Sequence, residues 1–172
     1  DCGFLTTYAQ NFYTGSYQYS TLSKVSGGTS TSNAPNSSLY SSLQTLMVDN
    51  HTTFTKYGGS TAKDCKNFYQ YTDCLKGDPA YVSTIYRGLY VAGTWDGGVT
   101  YNQEHVWPHS KCIGTNSTDV GDIMHSRAAN PSENSSRNNT AYGESEGYYD
   151  PGLSVRGDCA RTLLYLYTRW GN

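Results

Sequence analysis

The stretch Asn102-Gln103-Glu104-His105-Val106-Trp107-Pro108 sets a carboxylate and an imidazole on adjacent residues. In an extended chain the two point to opposite faces, but at a strand end or tight turn both reach one site. Glu104 then offers a hard oxygen ligand for a cation, and His105 a base suited to near-neutral pH. Further along, Asn134 and Arg137 lie three apart on one helical face, which sets a neutral oxygen ligand beside a phosphate-binding fork. His105 and His109 are four apart, the spacing of a zinc protease helix. That motif needs a continuous helix with Glu after the first His. Val106 follows His105, and Pro108 would break the helix, so the zinc reading is excluded.

Elements must bring these residues together. Leu39, Leu43, Leu46 and Met47 recur at helical spacing after Ser37 or Ser38, which predicts a helix ending at Asn50. Thr84–Val91 has the β-branched and aromatic bias of a strand, Asp96-Gly97-Gly98 marks a turn, and Val99–Val106 is a second extended stretch stopped by Pro108. Asn130 is a good N-cap, Pro131 fits the first helical position, and Glu133 stands where it can close a capping box. Asp158 can cap a final helix carrying Ala160, Leu163, Leu164 and Tyr167, with Arg161 and Arg169 on its flanks. Residues 1–36 read as a loop-rich segment, with no repeat and no linker after it. The expectation is a single α+β domain spanning 1–172, with the first 36 residues packed on it.

The chain has 172 residues, 12 Lys plus Arg against 14 Asp plus Glu, and a formal charge of -2. With 36% hydrophobic residues and 17 Tyr it is a folded domain rather than a disordered chain. No apolar run approaches the roughly 20 residues a membrane span needs. The charge excludes the basic shell of a tight, stoichiometric nucleic-acid binder. Absence of an initiator Met suits a chain whose leader has been removed. The five cysteines form no C-x-x-C pair, and Cys65 and Cys74 are spaced for a short disulfide loop; two disulfides and one odd thiol in an oxidising compartment are expected. Sequons begin at Asn36, Asn50, Asn116, Asn134 and Asn138.

The motif 102–108, then Asp122-Ile123-Met124-His125, Asn134-Ser135-Ser136-Arg137-Asn138, Tyr142-Gly143 and Arg156-Gly157-Asp158-Cys159-Ala160-Arg161, resembles in order and spacing the endonuclease I family of secreted nucleases. The resemblance runs from about Leu39 to Trp170. It implies a ββα-metal (His-Me finger) core surrounded by helices and long loops. It also implies a secreted or periplasmic, monomeric, nonspecific endonuclease that cuts double- and single-stranded DNA, and RNA as well, leaving 5′-phosphates. By the same resemblance His105 is the general base, and Glu104 and Asn134 bind one divalent cation, magnesium first, with manganese or calcium as substitutes. Arg137 is the leading phosphate contact, with Arg127, Arg161 and Asn138 as further substrate-binding candidates. His125 either supports the site from behind or is a hydrogen-bonded structural imidazole, because Ser126, Arg127 and Ala129 depart from the family pattern after it. Cys159 stands where an apolar residue is usual, which suits a buried free thiol. His109 and His51 read as solvent or local polar contacts. The abundance of Tyr, Gly, Ser and Thr also fits a secreted carbohydrate-binding module, a reading that leaves the ordered Glu, His and Asn motifs unexplained.

Overall fold

The computed structural model describes residues 37–58, 62–111 and 117–171. Its contacts divide the chain after Thr52 into two compact units. In the first, helix α1 spans Ser37–Asn50, ending where the apolar spacing predicts. The expected loop-rich segment 1–36 lies outside the described residues. No described helix is long and apolar enough to cross a membrane.

The second unit is mixed α and β with small antiparallel sheets. A 3₁₀ turn at Cys65–Phe68 runs into the single-turn helix α2, Tyr69–Thr72. Strands β1 (Cys74–Leu75), β2 (Asp78–Ser83) and β3 (Tyr90–Ala92) form one sheet in that order. The strand expected at Thr84–Val91 is therefore displaced. Thr84 to Leu89 form the connection between β2 and β3, closed by Thr84 N–H donating to the Leu89 carbonyl at 2.8 Å. The β-branched and aromatic bias of its first half reflects burial, since Thr84, Ile85 and Tyr86 are all buried, while Tyr90 and Val91 belong to β3.

Strand β4 (Asn102–His105) is shorter than the extended stretch expected from Val99, and it pairs antiparallel with β5 (Ser126–Ala129). The short helices α3 (Ser117–Val120) and α4 (Pro131–Arg137) flank β5 in the chain. The order strand, strand, helix is thus made by β4, β5 and α4. Ile85 joins the two sheets, its N–H donating to the Ala128 carbonyl at 2.8 Å.

Successive residues of a strand point to opposite faces, and β5 uses both. Ala128 packs with Tyr69, Val82 and Tyr101 in one apolar cluster. Ala129 packs with Ile85, Tyr86, Val106 and Cys159 in the other. Small side chains at both positions let the two clusters close on the strand. Each fully buried aliphatic contributes about 1.5–3 kcal/mol. The last helix, α5 (Arg156–Trp170), starts two residues before the expected Asp158 cap. Its inward stripe is Cys159, Leu163 and Leu166, while Leu164 and Tyr167 are exposed. Asp122 holds this helix: its Oδ2 accepts from Tyr165 Oη at 2.9 Å and Trp170 Nε1 at 3.0 Å.

Two expectations about cysteine fail. Cys65 and Cys159 are both free and buried, so Cys65 does not bridge Cys74 and two disulfides cannot form from five cysteines. Cys74 is disulfide-bonded. The Cys65 thiol instead lies in a buried polar network with Ser126 Oγ at 3.4 Å and Gln103 Nε2 at 3.2 Å. Cys159 is the buried free thiol that its position suggested.

Candidate active site

At the open end of β4 a cleft of about 290 Å³ is lined by Gln103, Glu104, His105, Asn134, Arg137 and Asn138, together with Tyr57, His109, Ser135 and Asn139. His105 is the last residue of its strand. This position lets it share one cleft with Glu104 despite the opposite facing of neighbours along a strand.

Helix α4 supplies the amide side. Asn130 Oδ1 accepts from Ser132 N–H at 3.0 Å and Glu133 N–H at 3.4 Å, and Pro131 opens the helix, as the sequence predicts. The reciprocal half of the capping box is absent. The Glu133 carboxylate pairs with Arg87 and accepts from Tyr149 Oη at 3.0 Å. Asn134 is half-buried at the cleft, its Nδ2 donating to Asn102 Oδ1 at 3.4 Å. Asn138 ends the helix with φ +50°, exposed at the rim.

His105 is 7% exposed, and its Nε2 is buried without a hydrogen-bond partner. The ring stands edge-on to Tyr57 at 4.4 Å between centroids, with His109 at 5.2 Å and His125 at 5.3 Å. Burial, then the neighbouring His125, His109 and Arg137, hold its pKa down at about 3. The imidazole is neutral at pH 7 and its Nε2 is unpaired, so it has a lone pair that can accept a proton. Tyr57 is delivered by a backbone crossing. A Cβ on Gly121 would sit 2.2 Å from the Lys56 carbonyl carbon, and Thr55 Oγ1 donates to the Gly121 carbonyl at 2.6 Å. Only glycine allows the 55–57 segment to pass so close.

Glu104 is 2% exposed. Its Oε1 accepts from the Tyr86 hydroxyl and faces Arg137 Nη1 at 3.4 Å. Burial pushes its carboxyl pKa up, while Arg137 and the Tyr86 hydrogen bond pull it back. Tyr86 and Tyr142 share a 2.6 Å hydroxyl contact, and the Arg137 guanidinium lies 4.9 Å from the Tyr142 ring centroid. Four side chains therefore close a ring behind the carboxylate. Tyr86 occupies this place with φ +74°, in a turn where Arg87 N–H donates to the Ile85 carbonyl at 3.0 Å. This is a γ-turn of the rare positive-φ kind, unfavourable for a bulky residue by about 1–3 kcal/mol.

Arg137 is placed differently from the open phosphate fork expected of it. It is 1% exposed, with Nη1 donating to the carbonyls of His105 and Asn138 at 3.0 Å and Nη2 to that of Val106 at 2.7 Å. It ties α4 to the end of β4, and only Nε is left without a partner. Arg127 does not line the cleft: its Nε donates to buried Asp73 at 2.5 Å. Arg161 is exposed and pairs with Asp158 at 2.5 Å on the surface of α5. His125 is 1% exposed and fully used, with Nε2 at 3.0 Å from Trp107 N and Nδ1 at 3.4 Å from the Asp119 carbonyl oxygen. It braces the turn after β4.

Sequence reasoning missed Tyr57 and Tyr86, and it read His109, an exposed residue that lines the cleft, as a solvent or local polar contact. Tyr57 and Tyr86 carry no spacing signal. His109 could have been found from Pro108, which turns the chain back toward His105.

Among the described residues no three of His, Cys, Asp and Glu group as metal ligands. The donors at the cleft are instead one carboxylate and one amide oxygen, a hard set that fits magnesium, manganese or calcium. Comparison with protein-family models, with curated proteins and with solved structures gives no match to this chain.

Proposed function

We propose that the chain is a metal-dependent, nonspecific endonuclease that hydrolyses phosphodiester bonds of DNA and RNA. The observation carrying this reading is a buried, neutral imidazole with an unpaired Nε2 on a residue that lines one cleft with Glu104 and Asn134. In this reading β4, β5 and α4 are a ββα-metal core, as the resemblance to the endonuclease I family implies. Glu104 and Asn134 would hold the cation. Once bound, the divalent cation neutralises the scissile phosphate and stabilises the leaving 3′ oxygen.

His105 Nε2 takes the proton of the attacking water as its oxygen bonds to phosphorus, and the P–O3′ bond breaks to leave a 5′-phosphate and a 3′ oxygen that takes a proton from a second water. Arg137 keeps the His105 and Val106 carbonyls in place and so fixes where that nitrogen points. Asn138 and Asn139, at the cleft rim, contact the phosphate backbone. Arg127 and Arg161 are paired with Asp73 and Asp158 outside the cleft lining, which places them behind Asn138 as phosphate contacts in this reading. With no basic shell and a charge of -2, binding is modest and its salt dependence shallow, which suits a monomer that cuts and releases. The disulfide at Cys74 supports secretion into an oxidising compartment.

Plasmid and single-stranded DNA, incubated with magnesium, manganese or calcium and with EDTA, test the reading. Nicking that requires metal and disappears in His105→Ala is the expected result. Intact substrates across all three metals would remove it.

A second reading rests on a different surface. Tyr81 and Tyr90 project from the same face of the β2–β3 pair, 48% and 59% exposed, in the manner of a sugar-stacking platform. Binding to a glycan array, abolished by Tyr81→Ala with Tyr90→Ala, would favour a carbohydrate-binding module.

A further inference from the structure

Glu104 has a partner whose backbone is otherwise hard to explain. Tyr86 is buried, yet it adopts φ +74° at the centre of a γ-turn, a conformation that a bulky side chain rarely takes. The turn is fixed on both sides. Ile85 N–H donates to Ala128 and Gly88 N–H to Thr84, so the residue cannot relax without releasing β5. Its ring is held edge-on by Tyr149 at 5.2 Å, within the apolar cluster that includes Cys159. All of this directs one hydroxyl at one carboxylate oxygen, Glu104 Oε1.

The direction of the bonds follows from the single hydrogen on each hydroxyl. Tyr86 donates to the carboxylate, so in the 2.6 Å contact Tyr142 donates to Tyr86. Tyr142 also stacks under Arg137, whose Nη1 approaches the same Oε1. Rotation of the Glu104 carboxylate is thereby blocked, and one of its two oxygens is taken.

We propose that Tyr86 is a positioning residue for the cation site: with Tyr142 behind it, its hydroxyl pins Glu104 Oε1 and leaves the other oxygen for a divalent cation. The inference rests on the metal-dependent reading above. Groups that orient a metal's ligands from behind are worth about 10–100-fold in metal affinity.

The test is manganese binding by the purified full chain, read from the loss of the free-ion EPR signal, with melting of the metal-free protein measured beside it. Tyr86→Phe keeps the ring and removes the hydroxyl. Its manganese dissociation constant is expected to rise about 10–100-fold per folded molecule. Tyr142→Phe should lose less, and the double variant no more than Tyr86→Phe alone, because Tyr142 acts through Tyr86. If Tyr86→Phe does not fold, the loss in Tyr142→Phe alone decides the matter. Wild-type affinity in both single variants, with Glu104→Gln weakened, overturns the inference and leaves the metal reading standing. Absent manganese binding in wild type, or unchanged binding in Glu104→Gln, overturns both.

Discussion

Two buried imidazoles lie side by side at the end of β4, 5.3 Å apart, and the structure treats them in different ways. Behind the strand, His125 has both ring nitrogens near backbone groups and holds the turn that follows. On the cleft side, His105 has an Nε2 with no partner. Arg137 stands between the two: its Nη atoms are bonded to carbonyls and rivet α4 to β4, while its Nε is unpaired. An unpaired buried nitrogen costs free energy and a paired one does not. The comparison separates the groups that hold the site from the group left open to act in it.

The largest expected effect lies on the open side. His105→Ala should lower metal-dependent nicking by on the order of 10²–10⁴-fold while its melting curve stays near wild type. Equal melting losses in His105→Ala and His125→Ala would break the comparison.

On the holding side, Arg137→Ala should destabilise the chain by about 3–5 kcal/mol in urea titration, since it strands buried Glu104 and three carbonyls. His125→Ala should cost about 1–3 kcal/mol by the same measurement, because it removes the hydrogen bonds to the Trp107 N–H and the Asp119 carbonyl.

Acid supplies a finer distinction. His105 has its folded pKa depressed from 6.5 to about 3 by burial and by His125, His109 and Arg137. Between those values the unfolded chain binds more protons, so this residue's share of stability is present above about pH 6.5 and is lost as pH falls toward 3. Burial depresses His125 as well. Melting temperature measured from pH 7 to 4 should therefore fall, with a shallower slope in His105→Ala. The smallest effect belongs to Arg161→Ala, expected within about 0.5 kcal/mol and with nicking unchanged, because its ion pair is exposed. A large loss of nicking there would return Arg161 to the substrate path.

Much of the local structure was readable residue by residue. Asn130 and Pro131 announce α4, and the leucine spacing announces α1, because caps and helical periodicity act over a few neighbours. Glu104, His105 and Asn134 were likewise singled out by type and spacing, Asn138 came with the family resemblance, and one cleft collects them. The displaced strand at Thr84–Val91 shows the limit. Thr84, Ile85 and Tyr86 are strand-like because they are buried, yet Ile85 pairs with β5 and the stretch becomes strand only at Tyr90. The cysteines show it again, since nine residues of separation permit a bridge that the fold does not make.

By itself the sequence determined the chemical types available: a base, a hard carboxylate, an amide oxygen, and too little positive charge to coat a nucleic acid. Tertiary structure alone decided which arginine is exposed and which is buried, which imidazole keeps an unpaired nitrogen, and which tyrosine grips Glu104. The physical reason is that burial and hydrogen-bond saturation depend on atoms distant in the chain. Tyr86 and Glu104 are 18 residues apart and Tyr86 and Tyr142 are 56, separations that no local pattern encodes.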